Sequence, residues 1–357
     1  MSSATHPTSP LEPTDLDDAA RLLAADSEGR LRGAASAGAL VRSVAEDARR
    51  GVLASLQGRT VRSVVLIAAR GPAQHAALLL QALVGDVATV PVVHAAQTPR
   101  WVGALDVVVV ATDDPGDAQL AQSVASAVGR GAEVVLCAPV EGLLAPAAAG
   151  KALALPPRVW VPDGMGLLHF AAAGLAVLTA LRVCATPDLA AVADELDAEA
   201  ERNQAGREVF ANPAKALALR CSGNNLVLAA DSTAPGVVAA HLAGSLLSYA
   251  GMVAVPVELA QALVAQPVSG ADSVQSLFHD PEIDGPLPVT PLRVVLLGTA
   301  SERTRLQARS AALTDVELAL GNIESGLLQD DPIAELLQLA ARCETAAVYL
   351  GLATAQN

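Results

Sequence analysis

Asp106-Val107-Val108-Val109-Val110-Ala111-Thr112-Asp113-Asp114-Pro115-Gly116 is an unbroken β-branched run that ends in an acidic turn. A strand apolar at every position, rather than at alternate ones, is one buried on both faces, as in a parallel sheet covered by helices on either side. The neighbouring sequence repeats the pattern. Val61 to Ala69, Val90 to Ala95 and Glu133 to Ala138 read as strands, with helices at Pro72 to Val84 and Pro115 to Val128 between them. Two Ala-rich helices, Asp15 to Ala25 and Leu31 to Leu56, precede the first strand, and Met1 to Pro13 reads as disordered.

Long helices at Leu167 to Cys184 and Leu189 to Arg207 lead to a second passage of the same kind, opening at Asn212. It predicts strands at Asn225 to Ala230, Val253 to Val255 and Leu292 to Gly298, and helices at Pro235 to Tyr249 and Asp272 to His279. A Pro-rich loop follows at Asp280 to Pro291. Ile333 to Leu352 closes the chain as a helix expected to pack back across the first domain. The fold class is therefore α/β, with two doubly wound parallel-sheet domains that look like a duplication. The expected division is 1–13 as a disordered N-terminus, 14–185 as the N-terminal helices with the first domain, and 186–357 as the second.

With 357 residues, 52% of them hydrophobic, the chain is long enough for two cores. A net charge of -14 opposes a nucleic-acid partner, which needs Lys and Arg at its phosphates. Cys137, Cys184, Cys221 and Cys343 form no C-x-x-C pair, so they suit small core residues in a reducing compartment and predict no metal site. The N-terminus carries no signal-peptide pattern, and Leu167 to Val183 is too short and too interrupted to span a bilayer. A cytoplasmic protein that neither enters a membrane nor binds nucleic acid is expected. No dinucleotide fingerprint, P-loop or nucleophile elbow is present, and no cofactor is expected.

Four passages resemble the SIS (sugar isomerase) proteins, and within them the bifunctional phosphoglucose/phosphomannose isomerases. They are Thr98-Pro99-Arg100-Trp101-Val102, Gly129-Arg130-Gly131-Ala132-Glu133-Val134, Asn212-Pro213-Ala214-Lys215-Ala216-Leu217-Ala218 and Tyr349-Leu350-Gly351-Leu352. The layout also resembles the TobH-type branch of actinobacterial proteins. The resemblance implies two SIS-like domains, a homodimer, and a sugar phosphate held by hydroxyls and backbone N–H groups where strand meets helix.

Against that pattern, the turn after the Val-rich strand keeps one hydroxyl, Thr112, and gains Asp113, Asp114 and Asp117. Two unit charges about 5 Å apart repel by about 3 kcal/mol at an effective dielectric of about 20, so bare carboxylates there would oppose a phosphate. The sober alternative is structural: Asp114 as N-cap, Pro115 as the first helical residue, Asp117 complementing the helix dipole. After the first strand, Ala69-Arg70-Gly71-Pro72 retains a single glycine. Arg70 and Gly71 become candidate anion-binding positions, or Arg70 simply reaches solvent.

The family's catalytic Glu aligns with Ser248 and its His with Gln261, and a Pro-Arg near Val161-Pro162-Asp163-Gly164 is missing. A serine hydroxyl without a partner base is no general base at neutral pH. His241, Ser245 and Ser248 share one helical stripe that either lines a pocket or forms a polar seam. His241 and Glu258 are the candidate catalytic residues. Arg70, Gly71, Thr112, Lys215, Ser245 and Ser248 are the candidate substrate contacts. Asn212-Pro213 also reads simply as a helix start. The expected function is a sugar-phosphate or related carbohydrate-derivative binding protein, regulatory or non-catalytic, on an isomerase scaffold. The alternative is an active aldose-ketose isomerase converting glucose 6-phosphate or mannose 6-phosphate to fructose 6-phosphate with relocated residues.

Overall fold

A computed structural model describes residues 11–139, 141–223, 225–270, 292–323 and 326–354. The helix expected at Asp272 to His279, the loop at Asp280 to Pro291 and most of the N-terminal stretch expected to be disordered lie outside these residues. The chain divides into two compact units, one of residues 28–201 and 323–341, the other of residues 1–27, 202–322 and 342–357.

The unit containing 28–201 is built on a five-stranded parallel sheet of order β2-β1-β3-β4-β5. Its strands are β1 (Ser63–Ile67), β2 (Val92–Ala95), β3 (Asp106–Ala111), β4 (Glu133–Cys137) and β5 (Leu153–Ala154). β3 is buried at every position and pairs with β1 in register, Val107 beside Val64 and Val110 beside Ile67. Each of its four valines removed from water contributes on the order of 1.5–3 kcal/mol. The strand begins on Asp106, whose buried carboxylate accepts from Arg62 Nε at 3.0 Å, Ser63 Oγ at 2.8 Å and Gly103 N at 2.8 Å. Burial alone would raise the pKa of Asp106. The donors from Arg62, Ser63 and Gly103 outweigh that and hold it below the usual carboxylate range.

Helices α3 (Arg30–Ala35), α4 (Ala37–Arg49), α5 (Gly71–Val84), α6 (Ala118–Gly129), α7 (Leu144–Ala148), α8 (Leu167–Leu181) and, up to its last residue, α9 (Leu189–Arg202) belong to the same unit. α8 is buried almost all round, as a helix apolar on every face must be. It comes so close to α5 that a Cβ on Gly174 would overlap Leu80. His169 on α8 donates from Nε2 to the Leu155 carbonyl at 3.1 Å, and burial pushes its pKa down to about 4.

The second unit carries a four-stranded parallel sheet of order β7-β6-β8-β9, from β6 (Asn225–Ala230), β7 (Ala254–Glu258), β8 (Leu292–Thr299) and β9 (Val316–Gly321). β6, β7, β8 and β9 occupy the places of β1, β2, β3 and β4, so both sheets reverse their strand order at the same point. The fold is thus two doubly wound parallel-sheet α/β domains, as the sequence predicts. This unit holds α1 (Pro13–Asp17), α2 (Ala19–Ala25), α10 (Pro213–Cys221), α11 (Thr233–Ala250), α12 (Leu259–Gly270) and α13 (Arg303–Ser310). The last helix, α14 (Pro332–Thr354), begins within the residues of the first unit and ends within those of the second.

Several details depart from the expected elements. β5, β9, α7, α12 and α13 have no counterpart in the sequence reading. The helix expected from Pro115 begins at Ala118: its N-cap is Asp117, whose Oδ1 accepts from Gln119 N and Leu120 N at 2.9 and 3.0 Å. Asp114 instead closes a short turn, accepting from Gly116 N at 2.8 Å. The Asn212-Pro213 start holds as read, with Asn212 Oδ1 accepting from Lys215 N at 3.0 Å. Cys137, Cys221 and Cys343 are buried, and burial pushes the thiols of Cys137 and Cys221 up to about 12. Among the described residues, no helix is long and apolar enough to cross a membrane.

Candidate functional site

In an open parallel sheet, ligands bind beyond the carboxyl ends of the strands where the strand order reverses. In the first sheet that point lies between β1 and β3, so its walls are Ala68 to Gly71 on one side and Thr112 to Asp117 on the other. The two walls are tied together. Arg70 Nη2 lies 3.2 Å from Asp114 Oδ2 and 3.0 Å from Asp117 Oδ2.

Two acids of the turn, Asp114 and Asp117, are also occupied by its own backbone. Asp117 is 8% exposed and caps α6 with its other oxygen, taking two N–H groups that a bound phosphate would otherwise use. Asp114 holds Gly116 N with Oδ1. Asp113 faces α8, its Oδ1 lying 2.8 Å from where a Cβ on Gly166 would stand. The carboxylates do not stand bare at the mouth: two neutralise Arg70 and the third points to a helix start.

Thr112 is buried, and its Oγ1 accepts from Asp114 N at 3.0 Å, so the surviving hydroxyl stabilises the turn. Gly71, the first residue of α5, has φ +61, a left-handed conformation in which any side chain is strained. Arg70 is the N-cap residue of this helix and provides no side-chain cap. The turn therefore exposes a guanidinium, 68% of it open to solvent, already paired with carboxylates.

The candidate acid and base are not a pair. His241 is buried in α11, with Nε2 3.6 Å from Oε1 of the buried Glu344 on α14. Glu258 is exposed at the end of the edge strand β7, where its N–H donates to Gln261 Oε1 at 3.4 Å. The polar stripe also divides: His241 and Ser245 are buried while Ser248 is exposed, so the three do not share one environment. Glu344 escaped the sequence reading because an acid embedded in an Ala-rich helix reads as a solvent-facing residue.

Lys215 is fully buried. Its Nζ donates to the carbonyls of Ala205 and Arg207, each at 2.7 Å, and lies 5.5 Å from the centre of the Tyr349 ring. Burial lowers its pKa, partly offset by Asp17. Tyr349 Oη donates to the Asn203 carbonyl at 2.6 Å, and Asn212 Nδ2 to that of Gln204 at 3.0 Å. Lys215, Asn212 and Tyr349 thus hold one loop, 203–207, from three directions. A Cβ on Gly351 would overlap the Tyr249 carbonyl, which explains the glycine of that motif.

The other two passages meet in the same way. Arg130 Nη1 donates to the Pro99 carbonyl at 2.7 Å, and Thr98 Oγ1 to the Ser123 carbonyl at 2.9 Å. The four short passages that carry the family resemblance therefore pack as two pairs. Among the described residues, no group of three or more His, Cys, Asp and Glu side chains is placed to hold a metal.

No protein-family model matches the chain, and no curated protein matches its sequence. Solved structures do share its fold. A hypothetical protein from Thermus thermophilus superposes with a TM-score of 0.61 at 16% identity over 95% of this chain and 89% of its own. A protein described as a phosphosugar isomerase from Clostridium difficile gives 0.60 at 10% identity over 92% and 93%. The C-terminal domain of glucosamine-fructose-6-phosphate aminotransferase from Francisella tularensis gives 0.58 at 10% identity over 91% and 96%. At these identities the likeness establishes the fold alone, two parallel-sheet α/β domains.

Proposed function

We propose that this protein binds a sugar phosphate or related carbohydrate derivative on a phosphosugar-isomerase scaffold and does not turn it over, serving a regulatory or other non-catalytic role. The observation that carries the reading is the Arg70 bridge to Asp114 and Asp117. Donors that would grip a phosphate at the first switch point are engaged by the chain's own carboxylates. A dianion must break that bridge to enter, so binding there is weak. The contrast between Glu258, exposed at the end of β7, and His241, buried beside Glu344, adds to it, because proton transfer between C1 and C2 needs a base and an acid around one substrate.

The finer assignment follows the sequence resemblance: a relative of the bifunctional phosphoglucose/phosphomannose isomerases, with 14–185 and 186–357 as the duplicated halves, acting as a cytoplasmic homodimer. Calorimetric titration with fructose 6-phosphate and mannose 6-phosphate tests the reading, and millimolar or weaker binding is expected. Micromolar affinity abolished by Thr112→Ala would overturn it in favour of an intact phosphate site.

One observation favours a second reading, an active isomerase: the buried His241 and Glu344 side chains lie 3.6 Å apart, so an imidazole and a carboxylate are neighbours there, the residue types that acid and base catalysis uses. Conversion of mannose 6-phosphate that is lost in Glu344→Gln would establish that reading.

A further inference from the structure

The second sheet has the equivalent switch point, between β6 and β8, and its chemistry is the reverse of the first. Asp231 and Ser232 follow β6, while Thr299, Ser301, Glu302, Arg303, Arg305 and Arg309 follow β8 or stand on α13. Two guanidinium groups, of Arg305 and Arg309, pair with two carboxylates here, whereas in the first sheet one guanidinium pairs with two. An anion entering the molecule is favoured at this end.

The Glu302 carboxylate sits among the donors an oxyanion would use. Oε2 accepts from Thr299 N at 2.9 Å and from Thr299 Oγ1 at 3.2 Å; Oε1 accepts from Ser232 Oγ at 3.1 Å and Arg305 Nη2 at 2.6 Å. Thr299 and Glu302 form a capping box, and the backbone N–H, two hydroxyls and guanidinium that meet the Glu302 carboxylate are the donor types that hold a phosphate at a strand-to-helix turn. Beside it the Asp231 side chain is 5% exposed and pairs with Arg309 through Oδ1. Among the described residues its Oδ2 accepts no hydrogen bond, and Arg305 Nε lies 3.4 Å away.

We propose that this crevice is a binding site for a phosphate monoester, and that Glu302 is its built-in occupant. The incoming phosphoryl group displaces the Glu302 carboxylate and takes over Ser232, Thr299 and Arg305. When Arg305 turns to the phosphoryl group, Asp231 Oδ2 becomes the acceptor for a hydroxyl of the ligand. The inference concerns the second sheet alone and does not rest on the function proposed for the first.

The test is titration of the full chain with inorganic phosphate and with glycerol phosphate, followed by calorimetry and by the amide NMR signals of Ser232, Thr299 and Glu302. Glu302→Gln keeps an oxygen for Thr299 N while removing the competing charge, so the turn is preserved. It should bind both probes at least about tenfold more tightly than the unaltered chain. Adding Arg305→Gln or Ser232→Ala should cancel the gain, and Arg70→Gln should leave it unchanged. Equal affinity of the unaltered chain and Glu302→Gln, or a gain that survives Arg305→Gln, would overturn the proposal. Loss of the gain on Arg70→Gln would overturn it as well, by placing the anion at the first switch point.

Discussion

Arg70 and Asp117 meet at 3.0 Å across the carboxyl ends of β1 and β3, joining the turn after one strand to the cap of the helix after the other. In the second sheet Asp231, after β6, meets Arg309 on the helix after β8. The same topological position is bridged twice, with the charges exchanged. Both crevices offer donors for an anion, and in both a carboxylate of the chain already uses them.

Asp117 has two tasks, and substitutions separate them. Asp117→Ala removes the cap of α6 together with the ion pair and should lower stability by about 0.5–2 kcal/mol. Asp117→Asn retains an oxygen for Gln119 N and Leu120 N and should recover most of that loss. Arg70→Gln removes an exposed guanidinium from Asp114 and Asp117 while leaving the cap in place, and should cost about 1 kcal/mol. Urea denaturation midpoints at low and high salt check the order: the Arg70 effect should fade with salt, while the part of the Asp117→Ala loss that comes from the cap should persist.

His169 gives a pH dependence with a defined sign. Its pKa in the fold is about 4, below the ordinary value near 6.5, so the unfolded chain binds the proton more readily. The associated stability is complete above about pH 6.5 and is lost as pH falls through 4, amounting to on the order of 3 kcal/mol at the acid end. His169→Gln should flatten the stability profile across that window. A profile unchanged by the substitution would contradict the buried neutral imidazole.

Lys215→Met keeps the stem and removes the ammonium, leaving the carbonyls of Ala205 and Arg207 without their donor. A loss of about 2–3 kcal/mol is expected, the cost of leaving buried groups unpaired. Hydrogen exchange should accelerate first in the 203–207 loop. Tyr349→Phe should show a smaller effect in the same loop, because it removes one donor of the three.

Gly174→Ala tests the contact between α8 and α5. The added methyl overlaps Leu80, and overpacking should cost about 1–3 kcal/mol. Leu80→Ala in the same chain should recover part of it, which calorimetric unfolding of the single and double variants measures.

The sheets were legible where the strand is apolar throughout, as in Val107 to Val110 and Leu226 to Ala230. β9 was not, because Glu317 interrupts it and its turn carries no Gly-Pro punctuation. The start of α6 differs from the reading for a local reason: Asp114-Pro115 is a strong helix-start signal, but Asp117, three residues after Asp114, caps the N–H groups of Gln119 and Leu120. The resemblance to sugar isomerases was legible in four short passages whose residues turn out to touch one another, Lys215 against Tyr349 and Arg130 against Pro99. Those motifs record packing. The bridge from Arg70 to Asp117 was illegible because it depends on β1 and β3 being neighbours, a fact of strand order that joins residues far apart in the chain. Glu302 and Glu344 were passed over for a similar reason, since their partners arrive from other elements.

The most direct test of the account is to hold mannose 6-phosphate and glucose 6-phosphate with the protein at micromolar concentration and follow their phosphorus NMR signals. The account predicts that both aldose signals persist and that no fructose 6-phosphate accumulates beyond the protein-free control. Steady growth of the ketose signal in proportion to protein concentration would contradict it.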